Sequence, residues 1–308
     1  MKYIILLIGI ILLQSCEKKS LNEKEILEII HSHEEYKNLE LKTDFSYGYD
    51  FIDSIKTFKK TVEREKFKPY YEADFNKDGK KDYLVNLKYP DSENEEYVVK
   101  ILIEDDHKNT LLLLSSTKGY QILNPGKNKV YNIISAKIIS HENQYLTKLL
   151  NFKKHINDRN DMLQYDTLMI KNNQLTELTS AKNHHIEKII VTQNGGYAPG
   201  KIYRLILKKD STILQSKSYK NLKGKYVGIY TSSFKSLSQY LNQINFSNLK
   251  NRYSIDCQDC VSIEIEIVFD NGKTKKIYDY GEKGTLGLTK LYEQINTIMN
   301  NQKWDKIN

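Results

Sequence analysis

Proline, glycine and cysteine are all scarce, at 4, 14 and 3 of 308 residues. So little proline and glycine argues against long disordered or low-complexity linkers. There is no basic block with interleaved aromatics. The lysines are spread along the chain, often beside acids, as in Glu63-Arg64-Glu65-Lys66, so the net charge of +8 reads as a solvated surface and not as a nucleic-acid footprint. No Gly-x-Ser-x-Gly elbow and no His-Glu-x-x-His pair occurs. The histidines have no ligand spacing: His31 and His33 diverge on a helix, and His184 and His185 face opposite ways on a strand. Gly195 and Gly200-Lys201 nearly spell a phosphate loop. However, Ile202 follows where a hydroxyl is needed for Mg²⁺, and a strand pattern follows where a helix is needed, so no nucleotide is expected. Acidic pairs such as Glu264 and Glu266 read as a solvated strand face.

What is present is a hydrophobic fraction of 39%, a charged fraction of 28% and 23 tyrosines, the composition of a globular, β-rich body. The one long apolar run, Tyr3 to Leu13, follows Lys2 and ends at Leu13-Gln14-Ser15-Cys16. As a helix it reaches only about 17 Å, at ~1.5 Å per residue, against a bilayer core of about 30 Å. The layout is that of a signal peptide rather than a membrane span. The four residues resemble the lipobox of bacterial lipoproteins, with Gln14 departing from the small or β-branched residue usual there. The resemblance implies cleavage before Cys16, a thioether lipid on its sulfur and an acyl chain such as palmitate on its amine. The expected organisation is a signal peptide at 1–15, a lipidated tether at 16–21, a first domain at 22–180 and a second at 186–308, in the cell envelope. The mature start, Cys16 to Ser20, carries no acidic run.

In the first domain, Asn22 with Glu25 predicts the start of a helix running to Tyr36, and a second helical piece fits Ile52 to Val62. Strands are predicted at Tyr83–Leu87, Tyr97–Ile103 and Thr110–Leu114, then at 130–140, 145–152 and 166–171. In the second, strands are predicted at Ile186–Val191, Ile202–Leu207 and Thr212–Tyr219. A helical stripe follows over Phe234, Leu237, Leu241 and Ile244. Alternation over Val261 to Phe269 predicts a half-buried strand, and Asn271-Gly272 a hairpin leading into Lys273–Tyr280. Leu288, Leu291, Tyr292, Ile295, Ile298 and Met299 mark a last helix. The expected class is α+β: two domains, each an antiparallel sheet with helices packed on one face.

The second domain resembles the DUF6438 domain of bacterial lipoproteins and exported proteins. The resemblance rests on Ile186-Glu187-Lys188-Ile189-Ile190, on the Tyr203 strand, on Phe246-Ser247-Asn248-Leu249 with Arg252-Tyr253, on the Val261–Phe269 hairpin and on Trp304. The family's usual Cys-x-Gly-x-Cys-Pro turn is replaced by Asn194-Gly195-Gly196-Tyr197-Ala198-Pro199-Gly200, and the family brings no settled activity.

Asp74, Asn76, Asp78 and Asp82 put oxygens at positions 1, 3, 5 and 9 of a loop with Gly79 at position 6, and the Lys80 carbonyl lies at position 7. Hard calcium takes six to eight oxygens, and a glycine turn lets alternate side chains converge on it. The segment is similar to the calcium loops of integrin-type FG-GAP repeats. It is not an EF-hand, because Val85 stands at position 12. A single copy gives no propeller. A structural Ca²⁺ is expected; the other reading is a plain Asx turn. Cys257-Gln258-Asp259-Cys260 fits a local disulfide or two quiet thiols. Asp256 and Asp259 would raise a thiol pKa, and zinc lacks a second pair of ligands. Taken together, the sequence predicts a membrane-anchored lipoprotein that binds an envelope polymer or protein, or serves a structural role. An exported hydrolase assembled from residues distant in sequence is the alternative.

Overall fold

The computed structural model describes residues 20–45, 60–61, 63–90, 109–127, 130–131, 133–152, 163–196, 200–228, 233–255 and 257–307. The signal segment, Cys16, the expected strand at 97–103 and nearly all of the expected helix at 52–62 lie outside the described residues. The chain divides into two compact units. The first holds residues up to 127 with 131–152 and 163–175, and the second holds chiefly residues 176–308.

The expected α+β class is corrected: the chain is mostly β. Seventeen strands in three sheets stand among the described residues, against short helices. The helices foreseen at the start of the first unit and at the two stripes of the second exist. They are outnumbered because many strands are short, polar edge segments that carry little pattern. Among these are β1 (Glu40–Leu41), β2 (Tyr70–Ala73), β14 (Arg252–Ser254) and β17 (Trp304–Ile307), while β13 (Leu222–Gly228) is longer and interior to its sheet but polar over its first half.

In the first unit, α1 (Glu23–His31) starts at the Asn22/Glu25 capping box. Asn22 Oδ1 accepts from Glu25 N, and Glu25 Oε2 accepts from Asn22 N. Strand β3 (Asp82–Lys88) lies between β4 (Thr110–Ser116) on one side and β1 and β2 on the other. β3 is buried on both faces, so its two alternating sets do different work. Tyr83, Val85 and Leu87 pack with Ile26 and Ile30 of α1 and with Leu111 and Leu113.

The opposite set carries Asn86, fully buried. It faces β6 (Ile133–His141), the outer strand of a second sheet ordered β6, β7 (Gln144–Phe152), β8 (Leu163–Lys171) and β9 (Gln174–Glu177). Among the described residues β6 pairs with β7 along one side only, leaving main-chain groups on the other side to satisfy. Side chains satisfy them. Asn86 donates to Ala136 O and accepts from Ala136 N, both at 2.8 Å, reproducing a ladder rung. Lys42 Nζ donates to Ile134 O (2.8 Å), and Asn109 Nδ2 donates to Ile133 O (2.9 Å). This polar seam joins the two sheets of the unit.

The second unit is an eight-stranded sheet in the order β14, β16 (Lys273–Tyr280), β15 (Ser262–Phe269), β10 (Ile186–Asn194), β11 (Ile202–Lys208), β12 (Thr212–Tyr219), β13, β17. All its pairings are antiparallel except β14 with β16. Ile263, Ile265 and Ile267 point inward, as their alternation predicts. Their core also takes Leu237 and Leu241 of α2 (Ser233–Gln243) and Leu288, Leu291 and Ile295 of α3 (Leu286–Asn301). Phe269 pairs with Lys273, so the β15–β16 connection is a three-residue loop, Asp270-Asn271-Gly272, and not the expected two-residue turn. All three residues have positive φ (43°, 65° and 85°), a conformation that Asn, Asp and Gly tolerate best. The loop is held by Glu187 Oε1, which accepts from Asn271 N and Gly272 N.

Candidate functional site

The loop at 74–82 folds as a nested turn between β2 and β3. Asp74 accepts from Asp78 N (3.1 Å) and Gly79 N (2.9 Å). Asn76 Oδ1 accepts from Asp78 N (3.2 Å), and Asp78 Oδ1 from Lys80 N (2.9 Å). Gly79 takes φ +78°, where a side chain would be strained. Asp74, Asn76 and Asp78 are thus gathered about one set of loop amides. Lys80 Nζ also approaches Asp78 Oδ2, at 3.5 Å. Asp82 is not gathered with them. It turns inward, fully buried, and its two oxygens accept from Phe75 N (2.9 Å) and Ser115 N (2.7 Å). Burial pushes its pKa up to about 6 against the pull of those two N–H groups, and Asp78 and Asp74 add to the rise. Among the described residues, no three His, Cys, Asp or Glu side chains stand together as a metal-holding group. Asp74, Asn76 and Asp78 face the same loop amides, and Asp82 is the anchor that ties the loop to β4.

Cys257 and Cys260 are joined by a disulfide. Tyr280 grips the small ring so formed: its hydroxyl accepts from Cys260 N and donates to Cys257 O, both at 3.1 Å. A Cβ on Gly196 would lie 2.0 Å from Asp259 O. The absence of a side chain at Gly196 thus lets the backbone lie against this ring.

A third cluster has no counterpart among the residues expected from the sequence. His184 Nδ1 lies 2.6 Å from Asp270 Oδ2, and His184 Nε2 lies 3.2 Å from Ser247 Oγ. His184 is separated from them by 86 and 63 positions along the chain. Each residue is placed by backbone. Asn242, in the last turn of α2, holds the His184 peptide from both sides, accepting from His184 N (3.2 Å) and donating to His184 O (2.9 Å). Asp270 opens the β15–β16 loop, accepts from His185 N (2.8 Å) and donates its own N–H to His185 O (2.9 Å). Ser247 sits in the single 3-10 turn Phe246–Asn248, entered through Asn245 in the left-handed region. The imidazole is wedged edge-to-face against Phe246 and Phe269, with centroids at 5.2 and 4.9 Å. The bond from His184, helped by His185 N–H, holds the Asp270 carboxyl below the usual carboxylate range. The cluster is half-buried, with side-chain exposures of 18% for His184 and 29% for Asp270. The signal available in the sequence is weak: a Ser in the Phe-Ser-Asn-Leu string and an Asp at a hairpin, with no local motif to connect them.

A shallow groove of about 440 Å³ lies in the first unit, lined by Lys68, Pro69, Tyr70, Tyr71, Glu72 and Ile138. No helix among the described residues is long and apolar enough to cross a membrane. The chain matches no curated protein and no solved structure. Residues 187–299 match the family model of DUF6438, a domain of unknown function, and the matched span takes in Ser247 and Asp270 and begins just after His184.

Proposed function

We propose that this chain is an exported lipoprotein, anchored by a lipid on Cys16, whose two β units serve a binding or structural role at the cell envelope. The observation that carries the reading is Leu13-Gln14-Ser15-Cys16 at the end of an apolar run too short to span a bilayer. A disulfide between Cys257 and Cys260 is in keeping with an oxidising compartment. The groove beside β2 suits a polar envelope polymer, because tyrosine faces stack on sugar or peptide planes while Lys68 and Glu72 offer charge and hydrogen bonds. Intact-mass analysis of the membrane fraction is expected to find a lipid-modified Cys16 as the first residue. Cys16→Ser is expected to move the protein out of that fraction. An unmodified N-terminus elsewhere, or a Cys16→Ser protein still retained on membranes, overturns the reading.

The loop at 74–82 is read as a structural calcium site. Asp74, Asn76 and Asp78 would supply side-chain oxygens and Lys80 its carbonyl. The ion would neutralise like charges held close together and stiffen the connection into β3. Millimolar Ca²⁺ is expected to raise the melting temperature by several degrees, about 1–3 kcal/mol of linkage. Asp74→Asn is expected to remove most of that gain, and Mg²⁺ to reproduce little of it. A melting curve that Ca²⁺ leaves unmoved rejects the site.

A further inference from the structure

We infer that Ser247, His184 and Asp270 form a hydrolytic site for carboxylic esters, with Ser247 as the nucleophile. This goes beyond the lipoprotein reading and does not depend on it. The geometry is that of an activated hydroxyl: a serine oxygen within hydrogen-bond reach of one imidazole nitrogen, and a carboxylate on the other. With Nδ1–H donating its hydrogen bond to the Asp270 carboxylate, Nε2 presents its lone pair to the Ser247 hydroxyl. Asn245 Oδ1, 3.1 Å from the same oxygen, is the competing acceptor. The orientation does not depend on a flexible linker. The His184 peptide is clamped by Asn242, its ring is boxed by Phe246 and Phe269, and the remaining Asp270 oxygen is taken by His185 N–H. Half-burial shields the His184–Asp270 hydrogen bond while leaving a path from solvent.

In the acylation step Ser247 Oγ forms a bond to the ester carbonyl carbon, its proton passes to His184 Nε2, and the carbonyl π pair moves onto oxygen. That pair returns as the C–O bond to the alcohol breaks, and Nε2 gives its proton to the departing alkoxide. Water then adds to the acyl-serine in the same way, its proton going to Nε2 and afterwards to Ser247 Oγ, and the carboxylic acid leaves. Nothing is oxidised or reduced. Asp270 stays ionised throughout and is a positioning residue. Esters are the class assigned because an alkoxide is a better leaving group than an amide nitrogen and asks less stabilisation of the tetrahedral intermediate from the site.

The test is to incubate the protein with a fluorophosphonate probe and map the adduct by peptide mass spectrometry, alongside steady-state hydrolysis of p-nitrophenyl acetate. The wild type is expected to carry the adduct on Ser247. Ser247→Ala is expected to lose the adduct and about 100-fold or more of the turnover with its melting temperature unchanged. Asp270→Asn is expected to lower kcat with little change in KM, which a merely structural role would not do. An unlabelled Ser247, in a reaction where a known serine esterase labels fully, overturns the proposal, as does a Ser247→Ala protein that hydrolyses at the wild-type rate. Should Asp270→Asn fail to fold, the Ser247→Ala comparison decides alone, because alanine leaves the His184–Asp270 bond in place.

Discussion

Replacing Asn86 by alanine is expected to destabilise the first unit by about 3–5 kcal/mol, a large part of the stability of a typical domain. Three main-chain groups depend on this one amide. Asn86 Nδ2 donates to both Lys68 O and Ala136 O at 2.8 Å, and its Oδ1 accepts from Ala136 N. Alanine leaves the Ala136 carbonyl and N–H unmet in buried surroundings and the Lys68 carbonyl unmet in part-buried ones, and each buried, unmade bond costs about 1–3 kcal/mol. It also opens a void beside a strand that is buried on both faces. Asn86→Asp is expected to be at least as severe, since it sets a carboxylate against the two carbonyls. Hydrogen exchange at the amides of β3 and β6 reads the effect directly. The only tryptophan, Trp304, lies in β17 of the second unit, so its fluorescence reports a different transition. A loss below about 1 kcal/mol would show that the seam does not hold the sheets as described.

The second large effect is a pH dependence set by Lys42. Burial draws its amine down to about 7, with Lys88 pulling the same way and Asp44 opposing. An unfolded lysine titrates near 10.5. Between those values the unfolded chain holds a proton that the folded chain has released, so unfolding takes up a proton and stability rises with pH. Below about 7 both states are charged, and the cost of burying the ammonium is felt in full. The gain from pH 7 to 10 is expected to be a few kcal/mol, because each tenfold difference in proton affinity between the two states is worth about 1.4 kcal/mol. Above 10 the trend reverses. Tyr83, Tyr203 and Tyr240 are pushed upward by burial, and they lose their protons first in the unfolded chain. Lys42→Met is expected to flatten the rise between 7 and 10 in urea titrations taken at each pH. Its absolute stability at neutral pH is a poorer readout, because Ile134 O loses its donor. A rise of equal slope in Lys42→Met would assign the dependence to another group.

Several elements are legible in the sequence. Asn22 and Glu25 form the capping box that their spacing implies. The alternation from Ile263 to Phe269 is the alternation of burial along β15. The stripe from Leu288 to Met299 is the buried face of α3. These patterns are repeated over several turns or rungs, so each residue reinforces the next. The α+β expectation failed for the complementary reason. β1, β14 and β17 have two to four residues, and β13 carries Lys223, Gly224 and Lys225, so their period is too short or too polar to register.

The sites were legible only where chemistry is local. Asp74, Asn76 and Asp78 converge because a turn brings alternate residues together, whereas Asp82 begins β3 and obeys the sheet, facing Ser115 of the neighbouring strand. Asn86 stood in view, a single amide within Leu84-Val85-Asn86-Leu87, but its partner is 50 residues away. His184, Ser247 and Asp270 meet because β10, β15 and the end of α2 are packed in one place, a fact of topology that no window along the chain contains.

β17, at one end of the eight-stranded sheet, comes last along the chain among the strands of that sheet. β17 lies along β13, matching Trp304 to Gly228 and Ile307 to Lys225. While the polypeptide emerges from the ribosome, β13 therefore lacks its β17 partner for roughly 75 residues of further synthesis. Until residues 304–307 arrive, the growing unit has to be kept from pairing with its neighbours. Its maturation is therefore a matter of timing and chaperoning as much as of stability.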